Sequence, residues 1–372
     1  MIITERLLGE RCRFKEGYMP YCLTQQEIAA RNLFMEEVHR KNKYITIIEC
    51  PYCANKSFIK ISEVEGRGLP SDIVICEHCD GCFKSSILNN EANRYYYEKI
   101  SYILRGKALS EKGIEKLFRK RVREFATGRY YFISHFIKLN RELDFIVELG
   151  CNDGANLFPW FKNGFSVLGI ELDSIMVEFG CKKGLNLTKA DFMEYNFTDQ
   201  KPKLIILSHF LEHVGDVNIT LIKLLKILQP NGYLFIEVPG IKTQGVVNSL
   251  SYFDIEHNYN FDLGSLTRLL KKYHFRIIYA DDYMRVLCTP LQAQNTTAQK
   301  YVALSIEKIK AYALKRFINM FNFKEGTLLG LLQQGATNNF KIRIINKLKA
   351  LYYKYYYASI VKSEKKNTKI KL

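Results

Sequence analysis

The sequence predicts an α/β protein built on a parallel sheet, and three observations lead to this prediction. Strand-like apolar runs alternate with helical segments between residues 144 and 290, which is typical of a parallel sheet with crossover helices. A glycine-containing turn, Glu148-Leu-Gly-Cys-Asn-Asp-Gly154, joins the first of these runs to a helix start. Two Cys-x-x-Cys pairs precede the sheet, and helical periodicity follows it. We therefore expect a sheet domain with an N-terminal zinc ribbon and C-terminal helices.

The first segment, residues 1–44, is predicted to be helical. An amphipathic pattern covers residues 24–42, and Thr24-Gln-Gln-Glu27 has the spacing of a capping box at its start. The chain begins without an apolar core of signal-peptide length, and it has no run of about 18 apolar residues that would span a membrane. A cytoplasmic location is the expectation.

Residues 45–89 are predicted to form a zinc-binding module. Cys50-Pro-Tyr-Cys53 and Cys76-Glu-His-Cys79 are separated by 22 residues, close to the spacing of four-cysteine zinc ribbons. Four thiolates complete a tetrahedron around one ion, so the role of Zn²⁺ would be structural. Cys82 is an alternative to Cys76, because it also lies two residues from Cys79. The apolar run that leads into Cys76 favours Cys76.

Residues 90–143 are predicted to form a basic helical connector. Residues 94–129 contain eleven Lys or Arg and four Glu, so they contribute +7 of the net charge of +17. Such a segment can attract phosphorylated ligands or nucleic acid, although it is also consistent with solvated helix faces. Arg119, Arg121 and Arg123 are the candidates for contact with a diphosphate.

Residues 144–290 are predicted to form the main sheet domain. Seven strands are expected, at residues 144–149, 165–171, 186–190, 203–208, 232–238, 275–280 and 284–288. Ligands of open α/β sheets bind at the carboxyl ends of the strands, which places the glycine turn and the segment after residue 208 at the candidate site.

The glycine turn is better suited to an adenosyl cofactor than to a dinucleotide. Dinucleotide folds require G-x-G-x-x-G, whereas this turn has only Gly150 and Gly154. Asp153 between them would repel a pyrophosphate and suits a cationic sulfonium ligand. Glu171 ends the second strand, 21 residues beyond Gly150, near the distance at which such folds place a ribose-binding carboxylate.

Residues 144–240 resemble the class I S-adenosylmethionine-dependent methyltransferases, which have a Rossmann-like sheet. The resemblance implies that Glu171 binds the ribose hydroxyls and that Asp191-Phe192 flank the adenine. Asn152 departs from the family, which more often has glycine there. The implied cofactor-binding residues are Glu148, Gly150, Asn152, Gly154, Glu171, Asp191, Phe192 and Ser208.

Two histidine clusters are candidates for proton transfer. His209-Phe-Leu-Glu-His213 follows the fourth strand, and Glu256-His257 follows the fifth. Simple helix capping by Glu212 and His213 is one alternative. A divalent ion bound by His209, Glu212, His213 and His257 is another. Neither alternative is excluded by the residues themselves.

Together with the cysteine pairs, these segments are similar to sugar C-methyltransferases and related surface-glycan methyltransferases. The resemblance implies methylation of a nucleotide-sugar or glycan precursor, with catalytic roles for His209, His213, Glu256 and His257. An RNA methyltransferase that grips phosphate through its basic segments is the alternative function. Residues 291–361 are predicted to be helices, and residues 362–372 a disordered basic tail. The tail is also a candidate for contact with a membrane surface.

Overall fold

The structure is a computed structural model that describes residues 1–104, 110–197, 200–240 and 249–291. The predicted C-terminal helices beyond residue 291 and the basic tail lie outside the described residues. Among the described residues, no helix is long and apolar enough to cross a membrane.

The N-terminal half contains a small sheet and a set of short helices. Its elements, in chain order, are β1 (Ile2–Glu5), α1 (Gln25–Phe34), β2 (Tyr44–Thr46), β3 (Ser57–Val64), β4 (Pro70–Cys76), β5 (Cys82–Lys84), β6 (Ser86–Leu88), α2 (Asn90–Tyr95), α3 (Ser101–Leu104), α4 (Glu111–Arg121) and α5 (Thr127–Phe136). A 3₁₀ turn covers Glu10–Cys12, and π-helical turns cover Met35–His39, Tyr96–Ile100 and Val122–Ala126. The capping box of α1 is confirmed, because Thr24 accepts from the Glu27 backbone and Glu27 from the Thr24 backbone.

The C-terminal half contains the main sheet. Its elements are β7 (Phe145–Leu149), α6 (Phe158–Lys162), β8 (Ser166–Glu171), α7 (Ser174–Lys182), β9 (Leu187–Lys189), β10 (Leu204–Ser208), α8 (Val217–Ile227), β11 (Tyr233–Glu237), α9 (Ser249–Tyr252), β12 (Tyr259–Asn260), α10 (Leu263–Lys272), β13 (Phe275–Ala280) and β14 (Arg285–Pro290). All seven predicted strands are confirmed to within two residues at each end.

The strand order of the main sheet is β13-β14-β11-β10-β7-β8-β9. Strands β7 to β11 run parallel, whereas β14 pairs antiparallel with β11 and β13 antiparallel with β14. The order reverses at β7, so the crevice between the carboxyl ends of β7 and β10 is the topological switch point where ligands bind. The predicted Rossmann-like sheet is confirmed.

Helices cover both faces of this sheet. One face packs against apolar residues of α8 and α10 such as Leu221 and Leu269, and the other against residues of α5 and α6 such as Phe132 and Trp160. The strands are apolar throughout, with Leu204 to Leu207 all at most 1% exposed, because both faces are buried.

The small sheet extends beyond the predicted zinc module. Its order is β1-β3-β4-β5-β12, so one edge strand comes from the N-terminal segment and the other from the main domain. Strand β12 pairs with β5 through Tyr259 opposite Phe83 and Asn260 opposite Cys82. The apolar residues of the module, such as Phe58 and Phe83, join the same buried cluster as α8 and α10.

Candidate functional site

The two cysteine pairs occupy turns with the same backbone geometry. The amide of Ala54 donates to the carbonyl of Cys50 at 2.8 Å, and the amide of Asp80 donates to the carbonyl of Cys76 at 3.0 Å. Ala54 and Asp80 both adopt left-handed backbone conformations, with φ of 62° and 57°. Each turn therefore directs its two thiols to one side.

The four predicted thiols meet at one point. The Sγ atoms of Cys50 and Cys79 lie 3.6 Å apart, as do those of Cys53 and Cys76, and all four lie within 4.8 Å of one another. A tetrahedron with bonds of roughly 2.3 Å needs sulfur separations of about 3.8 Å, so the set fits a structural zinc ion. Cys82 does not belong to this group and pairs with Ile75 in the sheet.

The glycine turn after β7 needs residues that tolerate a left-handed backbone. Gly150, Asn152 and Gly154 have φ of 66°, 52° and 75°. A Cβ on Gly150 would lie 2.7 Å from the ring of Phe210, and one on Gly154 would lie 2.5 Å from Leu185. Asn152, the departure from the family pattern, supports the turn because asparagine is the side chain that best tolerates this conformation.

The carboxylate of Glu171 lies at the end of β8, facing this turn. It accepts hydrogen bonds from the backbone amides of Asn152 at 2.8 Å and Leu172 at 2.7 Å. Past the next strand, Phe192 is buried, and its ring packs edge-on against Phe210 at 6.1 Å. The Glu171 carboxylate and the Phe210 ring thus border the glycine turn, and Phe192 packs against that ring.

Glu148 is buried beneath the turn. Its side chain receives a hydrogen bond from the Asn156 amide at 2.7 Å, while its second oxygen has no hydrogen-bond partner among the described residues. The buried side-chain oxygen of Asn152 likewise has no hydrogen-bond partner in that part of the chain. Burial raises the pKa of Glu148 to about 8. These two acceptors fit a cationic ammonium group, such as that of a methionine tail.

The sequence predicts that Asp153 faces the ligand. In the structure Asp153 instead binds Arg121. Its carboxylate is 1% exposed and pairs with Arg121 of α4. The other two predicted diphosphate ligands also pair with carboxylates, Arg119 with Glu115 and Arg123 with its neighbour in sequence. The argument against a pyrophosphate ligand therefore rests on the glycine spacing.

An ion pair between Arg129 and Glu237 connects the surroundings of the glycine turn with the end of β11, and sequence reasoning missed it. Arg129 of α5 donates to Glu237 with Nε at 3.0 Å, and its Nη1 donates to the Asn156 side chain at 2.7 Å. Although burial alone would raise the pKa of Glu237, Arg129 holds it at about 2. Because Asn156 also bonds Glu148, a continuous polar path runs from Glu148 to Glu237.

His209 lies at the carboxyl end of β10, beside that path. Its φ is 55°, and the amide donates to the carbonyl of Glu237 at 2.8 Å. The half-exposed imidazole has Nε2 3.9 Å from Glu237 and Nδ1 3.5 Å from Glu212. Desolvation lowers the pKa of His209, but the nearby carboxylates of Glu212 and Glu237 outweigh it and raise the pKa above its usual value.

Glu212, His213 and His257 form a compact group, which we call the His-Glu cluster. One ligand atom of each lies within 4.8 Å of the others. The rings of His213 and His257 are 5.0 Å apart, and His213 Nε2 is 3.6 Å from Glu212. The fold thus brings together two of the predicted histidines with Glu212, and His209 lies at the margin of the group.

Glu256 faces another part of the protein. Its carboxylate is buried and accepts a hydrogen bond from the hydroxyl of Tyr96 at 2.8 Å, whereas its backbone carbonyl accepts from His213 Nδ1 at 3.1 Å. The Glu256 carboxylate is not among the group of ligand atoms that defines the His-Glu cluster.

The N-terminal half holds the segment that carries His257, which we call the His257 loop (residues 253–258). Arg67 pairs with Asp254 at 3.2 Å, Lys84 Nζ donates to the carbonyl of Ile255, and the Lys84 amide donates to the carbonyl of Asn258 at 2.9 Å. Lys84 is 2% exposed, and its desolvation lowers the pKa to about 7. The position of His257 therefore depends on the module that carries the cysteines.

Comparison with known families agrees with this geometry. Residues 118–280 match the family model described as a methyltransferase domain. This stretch contains the glycine turn, Glu171, the His-Glu cluster and Arg129. Residues 118–280 are thus similar to a methyltransferase domain and include most of the Rossmann-like sheet, and the chain carries a cysteine cluster that fits a zinc module.

Individual relatives cover half of the chain or less. It is 26% identical over 140 residues to the C-methyltransferase NovU of Streptomyces niveus, a match that spans 36% of this chain and 33% of the relative. The structure is similar to that of DesVI from Streptomyces venezuelae, with a TM-score of 0.40 and 11% identity over 50% of this chain and 100% of that one. The structure is also similar to that of the sugar N-methyltransferase KedS8 from Streptoalloteichus sp. ATCC 53650. The TM-score is 0.39 and the sequence identity 10%, and the match covers 50% of this chain and 96% of that one.

Proposed function

We propose that this protein transfers a methyl group from S-adenosylmethionine to a small molecule, a nucleotide-sugar or glycan precursor, with proton transfer by histidine. The observation that supports the proposal best is the polar path from Glu148 through Asn156, Arg129 and Glu237 to His209. It joins the turn that would bind the adenosyl group to the proposed acid-base side chains.

Each residue of the cofactor site has a definite role in this proposal. Glu171 would accept hydrogen bonds from the ribose hydroxyls, and Phe192 and Asp191 would flank the adenine. Glu148 and Asn152 would receive the ammonium group of the methionine tail. S-adenosylmethionine would supply the electrophilic methyl group, and the protein's residues would orient the acceptor in line with it.

His209 is the proposed base. It lies at the switch point, is half-exposed, and has carboxylates near both ring nitrogens, so the proton taken from the acceptor remains electrostatically stabilised on the imidazole. Glu212 orients the ring from one side. His213, Glu256 and His257 are proposed to shape the acceptor side, with the Glu256 carbonyl holding the ring of His213.

The similarity to NovU, which is named as a C-methyltransferase, supports a sugar-type acceptor. Arg119 and Arg123 have exposed side chains on the connector and are the proposed contacts of a diphosphate. Incubation with labelled cofactor and a panel of nucleotide-sugars, followed by mass spectrometry, tests this assignment. Label that enters RNA and no sugar would contradict the acceptor class while leaving the methyltransferase activity intact.

Calorimetry tests the cofactor site directly. S-adenosylmethionine should bind with a stoichiometry near one, and Glu171→Ala should weaken binding by about 10- to 100-fold, because charge-assisted hydrogen bonds contribute roughly 1.5–3 kcal/mol. Glu178→Ala on α7 is the matched control, since Glu178 is exposed and pairs only with Lys182 among the contacts shown for it. If the wild-type protein gives no heat of binding with S-adenosylmethionine, the proposed function is wrong.

A second variant tests the base. His209→Ala should lose about 100-fold or more in turnover, the usual contribution of general-base catalysis, and should keep its affinity for S-adenosylmethionine. His274→Asn serves as the control, because His274 is an exposed histidine that also has a left-handed backbone, with φ of 56°. Full activity in His209→Ala would show that another residue is the general base.

A further inference from the structure

We propose that the His-Glu cluster is a second metal site, which binds a divalent transition-metal ion of the zinc class. Its donors are one carboxylate and two imidazoles, whose ligand atoms lie within 4.8 Å of one another. Two histidines and one carboxylate are a common donor set for catalytic zinc and for other first-row divalent ions. This site is chemically distinct from the four thiols.

The hydrogen bonds of the two imidazoles fix their tautomers. His213 Nδ1 faces the carbonyl of Glu256 at 3.1 Å, and His257 Nδ1 faces the carbonyl of Tyr252 at 3.2 Å. A carbonyl oxygen only accepts, so each Nδ1 carries a proton. In the neutral rings Nε2 is then the nitrogen that holds a lone pair. Metal-binding histidines usually donate their other ring N–H to a carboxylate, a backbone carbonyl or a water in the same way.

The carboxylate of Glu212 supplies independent support. The residue is 1% exposed, and neither of its oxygens has a hydrogen-bond partner among the residues that the structure describes. A buried carboxylate without donors is costly. With two imidazole lone pairs beside it, the cluster has three acceptors, and a cation would bind all of them.

A proton would bridge the acceptor atoms of the His-Glu cluster less well than a metal ion would. Protonation of His213 would create a donor, but its Nε2 lies 3.6 Å from Glu212, beyond the usual limit of about 3.2 Å for such a bond. Metal bonds of about 2.1 Å in a tetrahedral site need ligand separations near 3.4 Å. The observed 3.6 Å is close to that value, so small side-chain movements would complete the site.

Three protein ligands leave a coordination position for an oxygen atom of the acceptor. A metal there would polarise that oxygen next to His209, which is 3.5 Å from Glu212. This use of the metal rests on the proposed function, whereas binding of the ion does not. The two are therefore tested separately.

The test is a cobalt titration of the full-length protein. The thiol site is first filled with one equivalent of Zn²⁺, and Co²⁺ is then added while visible absorption is recorded. We expect a second equivalent to bind with the weak bands of nitrogen and oxygen ligation, and without the intense near-ultraviolet charge transfer of cobalt thiolates. Binding of S-adenosylmethionine is measured on the same samples.

Three variants locate the second ion. His213→Ala, His257→Ala and the near-isosteric Glu212→Gln should each weaken the second equivalent by more than about tenfold, and the first equivalent should be unchanged. His274→Asn should behave like the wild type. Retained zinc and cofactor binding show that a variant is folded. Binding of only one equivalent by the wild type, or an unchanged second equivalent in Glu212→Gln, would overturn the proposal without affecting the cofactor assignment.

Discussion

The two clusters of candidate metal ligands in this protein are assembled in opposite ways. Cys50, Cys53, Cys76 and Cys79 lie on two turns of one small module, 29 residues apart at most. The His-Glu cluster joins a residue pair after β10 to a histidine 44 residues later, and it exists only when both sheets are formed. A local pattern therefore reveals the first cluster, whereas the second becomes visible only in the fold.

The parts of the protein that carry the two clusters are also in direct contact. The module that carries the cysteines contacts the His257 loop through Arg67 and Lys84, and β12 extends the sheet of the module directly after that loop. The module that carries the thiols thus holds the His257 loop in position, although the thiols contribute no atom to the proposed reaction.

The largest effect should follow loss of the thiol site. Cys76→Ser, or treatment with a strong chelator, should destabilise the module by several kcal/mol, because structural zinc contributes binding free energies of about 10–16 kcal/mol to small modules. Methyl transfer should fall with it, since the His257 loop loses its support. Cys82→Ala is the control, a buried thiol outside the cluster that should cost only about 1 kcal/mol. Equal losses in Cys76→Ser and Cys82→Ala would argue against a zinc site.

A smaller but still large effect is expected at Arg129. Arg129→Ala leaves the carboxylate of Glu237 largely buried without its ion pair, which costs roughly 3–5 kcal/mol of unfolding free energy. Arg123→Ala, on the same connector, removes an exposed pair with Glu124 and should cost about 0–1 kcal/mol. Chemical denaturation of both variants measures the difference. Similar values would show that the Arg129 pair is not a supporting contact.

The pH dependence of the free energy of unfolding should reveal the raised pKa of Glu148. Because the folded-state pKa is raised from 4.5 to about 8, the stabilisation from this group is complete below pH 4.5 and is lost as the pH rises through 8. The slope is at most about 1.4 kcal/mol per pH unit. Glu148→Gln should therefore gain stability relative to the wild type between pH 5 and pH 8. A difference between the two proteins that does not vary with pH would contradict the raised pKa.

The smallest effect is expected at Tyr96. Tyr96→Phe removes the hydroxyl that donates to Glu256 at 2.8 Å, and a buried hydrogen bond to a charged group contributes about 1.5–3 kcal/mol at most. A modest loss of stability should accompany a lower turnover, with cofactor affinity unchanged. Phe34→Leu, in the same apolar cluster, is the control for packing alone. Loss of cofactor affinity in Tyr96→Phe would place Glu256 in a different role.

Much of the fold could be predicted because its signals are local. Buried strands are short apolar runs, and the two cysteine turns have a fixed spacing, so the strand positions and the thiol cluster follow from the sequence. The partners of charged residues could not be found in this way. Asp153 binds Arg121 and Glu237 binds Arg129, across 32 and 108 residues, and only tertiary packing decides such pairs.

The two-residue strand β12 shows that the stretch matched by a family model need not coincide with a structural unit. The stretch that matches the methyltransferase family, residues 118–280, includes β12 but excludes its partner β5. A recombinant fragment trimmed to that stretch would have an unpaired strand next to the His257 loop. Exchanging N-terminal modules between related proteins would likewise require matched sequences in β5 and β12.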